Sequence, residues 1–178
     1  MSVYMPMPAT IRHNRITGTL FGTVLDLLRK NEIHALQEEC ALAHWGYKYK
    51  SDFFKLIDVS EIDNPDEFSK ITINELDYVM PDFVLFKNNK FLCNERETRT
   101  AGCPDLIVEV WSDGNSKEER KFKFDLYSSS HIVEHWYIEQ NSNEVACFLG
   151  VNKKDNQNLS EILVTRGGLK FDLRYLAI

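Results

Sequence analysis

At 178 residues with a formal net charge of −6, the chain has the size of one domain and lacks the excess of Lys and Arg with which proteins coat nucleic acid indiscriminately. A hydrophobic share of 43% excludes a disordered chain, and no stretch is long enough to span a membrane. The four cysteines, Cys40, Cys93, Cys103 and Cys147, form no CxxC pair and no zinc-type spacing, so reduced thiols in a cytoplasmic protein are expected. The N-terminal MSVYMPMPATIRHNR has no signal-peptide layout, which points to the same compartment.

In chain order, residues 11–30 place Ile16, Leu20, Val24, Leu27 and Leu28 at helical spacing, with Thr10 as a cap and Arg29-Lys30 suited to the C-terminal dipole. Residues 35–49 alternate as a strand would, and FFKLIDV at 53–59 is a second strand. The acidic EIDNPDEFSK is a solvated loop. Residues 78–87, YVMPDFVLFK, form an apolar strand carrying one acid, Asp82, directly after Pro81. KNNK at 87–90 is a turn, and NERETRT at 94–100 an exposed polar connection.

The run at 105–111, DLIVEVW, is apolar except for its first residue and Glu109, the pattern of a buried strand. A carboxylate there needs a cation, a donor or an ion-pair partner. Ser112-Asp113-Gly114-Asn115 breaks the run, and a helix at 116–129 follows with Lys117, Arg120, Lys121 and Lys123. Phe122, Leu126 and Ser129 share one side of it, with Lys123 and Tyr127 one turn apart beside them. VEHWYIEQ and EVACFLG then form a hairpin about Asn141-Ser142-Asn143, and a second hairpin joins 160–165 to 169–175 through Gly167-Gly168. This order predicts one α/β domain over 1–178, a mixed sheet flanked by helices with additional C-terminal hairpins.

Two carboxylates on separate buried strands beside a lysine-bearing helix have the composition of a divalent-metal site. Hard oxygen ligands hold the ion, which activates a water, and the ammonium stands near the reacting phosphate. Isolated acids at strand ends are also common turn anchors and ion-pair partners, so residue types leave both readings open. The five histidines show no HxxxH or HExxH spacing and are expected to be ordinary surface or core residues. The serines at 128–130 lack a GxSxG context, and there is no Walker loop or dinucleotide fingerprint.

The succession VMPDFVLF, PDLIVEVWS, RKFKFDLY and VEHWYIEQ resembles the Uma-two family of endonucleases, a branch of the PD-(D/E)XK restriction-endonuclease-like superfamily. The N-terminal helix HNRITGTLFGTVLDLL and the C-terminal GGLKFDLRYL extend the likeness over most of the chain. The resemblance implies the restriction-endonuclease-like fold and a divalent-metal-dependent nuclease using Mg²⁺ or Mn²⁺, with DNA as the default substrate. It implies Asp82 and Glu109 as metal ligands. The superfamily pattern puts a lysine two residues after Glu109, where this sequence has Trp111, and the match of FKFDLY selects Lys123 on the following helix instead.

Around that triad, Asp105 lies roughly 13 Å from Glu109 on a regular strand and reads as a strand-entry anchor. Lys121 is the alternative to Lys123, Glu38 an acid from an early element that could complete the site, and Tyr127 a support for Lys123 or a core aromatic. Glu134 and Trp136 match the family segment and read as structural. The acidic balance does not exclude a nuclease, which gathers carboxylates and can carry a local basic rim. The competing reading is a catalytically inactive binding or structural module on the same fold. Many enzymes of the superfamily act as dimers, so a homodimer stays open; no membrane partner is expected.

Overall fold

A strand that is apolar on both faces needs cover on both, and the run LIVEVW receives it. The computed structural model describes residues 10–29, 40–45, 53–56, 81–87, 91–93, 99–102, 104–129 and 133–178. The first half comprises α1 (Ile11–Arg29), β1 (Cys40–Trp45), β2 (Phe53–Leu56), β3 (Phe83–Lys87), β4 (Phe91–Cys93), β5 (Arg99–Gly102) and β6 (Leu106–Trp111). After it come α2 (Lys117–Ser128), β7 (Glu134–Glu139), β8 (Glu144–Leu149), β9 (Asn152–Lys153), β10 (Gln157–Asn158), β11 (Ile162–Val164) and β12 (Lys170–Asp172). A 3₁₀ turn at Arg174–Leu176 follows.

Among the described residues the main sheet runs β1-β3-β6-β7-β8-β10, with β9 on β8. β6 and β7 are parallel, which requires a crossover, and α2 supplies it; the other pairs are antiparallel. α1 covers one face. Its buried Ile16, Leu20 and Val24 pack with Phe83, Leu85, Leu106, Val108, Val110, Trp136 and Ile138. The β11–β12 hairpin closes this side with Leu163 and Phe171, turning at Gly168, whose φ of 81° suits glycine. α2 covers the opposite face, where Tyr127 joins Val84, Ile107 and Tyr137, with Phe124 and Phe148 against them.

Both described helices begin on side-chain caps. Thr10 Oγ1 accepts the His13 N–H at 3.1 Å, and Ser116 Oγ accepts the Glu119 N–H at 3.0 Å. Glu118 and Glu119 also place negative charge in the first turn of α2.

Several expected boundaries shift. Asp82 and Asp105 each precede their strand, which starts at Phe83 and at Leu106. Arg99 and Thr100, read as part of an exposed connection, lie in β5, which pairs parallel with β2 and antiparallel with β4. Phe122 is half-exposed; the helix instead buries Tyr127, with Phe124 and Leu126 beside it. The parts of the expected strands at 35–39, 46–49, 57–59 and 78–80 lie outside the described residues, as do the loop at 61–70, the turn residues 88–90, and Glu38.

Candidate active site

Alternation along β6 sends Leu106, Val108 and Val110 toward α1, and Ile107, Glu109 and Trp111 toward α2. The antiparallel register pairs Phe83 with Val108 and Val84 with Ile107, so one residue further back Asp82 falls opposite Glu109. The two acids meet at the sheet end where β3 starts and β6 finishes.

Glu109 is 1% exposed, yet neither of its oxygens is left without a partner. Lys123 Nζ donates to Oε2 at 2.8 Å, and Tyr127 Oη donates to Oε1 at 2.5 Å. Both donors come from α2, one turn apart. Burial pushes the Glu109 carboxyl up to about 7, reinforced by the Asp82 charge and opposed by Lys123 and Tyr127. For Lys123, burial favours the neutral amine, but the charges of Glu109 and Asp82 prevail and hold it above the ordinary lysine value. The Tyr127 hydroxyl is raised well above its usual range by burial and by Glu109, and stays a donor.

Asp82 is held by two elements. Its Oδ2 accepts the Val110 N–H at 2.7 Å, and its Oδ1 lies 2.9 Å from His13 Nε2 on α1. A carboxylate in this setting accepts, so Nε2 carries the hydrogen. Burial alone would lower the His13 value; the hydrogen bond and charge of Asp82 outweigh it and raise it.

The structure thus brings Asp82, Glu109 and Lys123 together, and adds His13 and Tyr127. Tyr127 supports Glu109 directly rather than Lys123. His13 was expected to be an ordinary histidine. Its one sequence signal is position: it precedes Ile16 and Leu20 by three and seven residues, which places a polar side chain in line with the buried stripe. Lys121 points away, pairing with Asp125 at 2.5 Å on the exposed side of α2. Asp105 donates its backbone N–H to Leu85 O at 2.9 Å at the start of β6. It also lines a separate cavity of about 210 Å³ with Leu106, Glu134, Thr165 and Arg166.

Trp111 stands two residues after Glu109. It shares Glu109's face of β6 and packs on Tyr137 with ring centroids 4.3 Å apart, while the Arg120 guanidinium lies 4.7 Å over its ring. With this position filled by an indole, the cation at Glu109 comes from the helix. Glu134 and Trp136 act within the framework: Glu134 accepts from Trp136 Nε1 at 2.8 Å and from the Arg166 N–H at 2.8 Å. His135 is buried, with Nε2 donating to Gly150 O and Nδ1 accepting from Tyr137 Oη, each at 2.8 Å.

Among the described residues, no three His, Cys, Asp or Glu side chains are grouped to hold a metal ion. Asp82 and Glu109 are the carboxylates that the described residues bring to this end of the sheet. Two such carboxylates could serve a divalent ion that keeps several waters and takes further oxygens from phosphate. No described helix is long and apolar enough to cross a membrane.

The mixed sheet with a helix on each face is a fold shared with a solved structure. A solved structure described as "a putative nuclease belonging to DUF820", from Anabaena variabilis ATCC 29413, is similar with a TM-score of 0.59 at 12% identity, covering 99% of this chain and 87% of that one. Residues 65–172 match the Uma2 family, described as "Putative restriction endonuclease", and the chain belongs to that family. No curated protein matches it.

Proposed function

We propose that this chain is a divalent-metal-dependent endonuclease that hydrolyses phosphodiester bonds, with Mg²⁺ or Mn²⁺ held by Asp82 and Glu109 and with DNA as substrate. The observation that carries the reading is the convergence of Lys123 on Glu109 at the end of the sheet to which Asp82 is also fixed. The fold and family agree with it. A bound ion would supply Lewis acidity and an acidified water. The chain's own residues set the stage for it. Asp82, just before β3, and Glu109, on β6, would offer oxygen ligands, Tyr127 fixes the orientation of Glu109, and Lys123 would supply positive charge to the phosphate and the attacking water. The cytoplasm is the compartment that fits a chain in which Cys147 is free and buried.

The test is incubation of supercoiled DNA, linear DNA and RNA with the protein and Mn²⁺, beside Asp82→Asn. Metal-dependent cutting of DNA by the parent alone is the expected result. Cutting by both proteins would point to a contaminant, and cutting of RNA alone would replace the substrate. Binding without cutting would favour the inactive module, a reading encouraged by the protein partners already on both Glu109 oxygens.

A further inference from the structure

We infer that His13 is a positioning residue of this site: its Nε2–H fixes the Asp82 carboxylate in the orientation that presents its remaining lone pairs to a divalent cation. The inference rests on the proposed metal reading and assigns the first turn of α1 a part in it.

His13 is itself held in place. Thr10 Oγ1 accepts its backbone N–H at 3.1 Å and donates to Gln140 Oε1 at 2.7 Å, tying the start of α1 to the β7–β8 turn. On the other side of the same turn, Arg12 donates to Ser142 O at 3.1 Å and Asn143 Oδ1 at 3.3 Å. The imidazole between these fastenings is 12% exposed and reaches Asp82 Oδ1 at 2.9 Å. Val110 N–H meets the other oxygen at 2.7 Å. Asp82 precedes β3 and has no ladder of its own to set its side chain, so the two donors, one from α1 and one from β6, determine where its oxygens lie. A carboxylate has about four acceptor directions. With two used, the rest remain for an ion and its waters. An imidazole donates an N–H whether neutral or charged, so this bond does not depend on a fixed cation beside the metal. Groups that orient a metal-binding side chain in this way commonly change affinity by about 10- to 100-fold when removed.

Calorimetric Mn²⁺ titrations of the full chain, of His13→Ala and of His13→Gln, each with a phosphorothioate oligonucleotide to supply phosphate oxygens, provide the test, with circular dichroism melts to establish that each variant is folded. Glutamine carries an amide N–H at a similar reach. The expected result is a loss of about 10- to 100-fold in affinity for His13→Ala and recovery to within about threefold of the parent for His13→Gln. Equal affinity of parent and His13→Ala would overturn the inference while leaving the metal site standing. A glutamine variant as weak as the alanine one would overturn it too. So would ¹⁴N electron spin-echo modulation on bound Mn²⁺ that disappears in His13→Gln, since the imidazole would then be a ligand itself. A parent that takes up no Mn²⁺ would remove the proposed metal site, and the inference with it.

Discussion

Lys123 stands fourteen residues beyond Glu109 in sequence, yet its Nζ lies 2.8 Å from Glu109 Oε2, because the turn at 112–116 folds α2 back over the end of β6. If that ammonium serves the reaction and not the ion, Lys123→Ala should keep Mn²⁺ affinity within a few-fold while lowering cleavage by about a hundredfold or more. A parallel loss of both in titration and single-turnover cleavage would assign Lys123 to assembling the metal site instead.

The same pair has a predicted stability signature. Glu109→Leu leaves a lysine that is 14% exposed without its carboxylate, which should cost roughly 3–5 kcal/mol in urea unfolding. Adding Lys123→Met removes the buried ammonium that has lost its Glu109 partner and should restore most of that loss. Additive losses would mean that the two side chains do not depend on one another.

Much of this arrangement could be anticipated from sequence, and the part that could not has a physical reason. LIVEVW announced a strand covered on both faces, and α1 and α2 supply the cover while β3 and β7 pair its edges. A buried Glu109 announced a partner, but spacing alone offered Lys117, Arg120, Lys121 and Lys123; the family likeness singled out Lys123. His13 was read as an ordinary histidine; it stands at helical spacing from Ile16 and Leu20, but nothing local says that Asp82, on a distant segment, comes to meet it. β4 and β5, of three and four residues, are too short to carry a periodicity, and their pairing with each other and with β2 is not local.

His135 should make stability fall in mild acid. Burial lowers it below its ordinary 6.5, only partly offset by the Gly150 carbonyl. As pH drops below 6.5 the unfolded chain takes up the proton first, so this contribution is complete above 6.5 and is lost as pH falls through the folded value. Melts between pH 7 and 5 should show a steeper decline for the parent than for His135→Gln, by up to about 1.4 kcal/mol per pH unit. Parallel curves would show that His135 titrates alike in both states.

Glu134 links β7 to the C-terminal hairpin by accepting from Trp136 Nε1 and from the Arg166 N–H. Glu134→Ala should cost about 1–3 kcal/mol and speed hydrogen exchange at Arg166, with Glu134→Gln intermediate. Unchanged exchange at Arg166 in the alanine variant would mean that the hairpin is held by its apolar contacts alone.

The most direct test of the proposed site is calorimetric titration of Mn²⁺ into the parent and into Asp82→Ala/Glu109→Ala, in the presence of a phosphorothioate oligonucleotide to supply the phosphate oxygens. Binding by the parent and none by the double variant is the predicted result. Equal binding by both, or none by either, would contradict a metal site built on these two carboxylates.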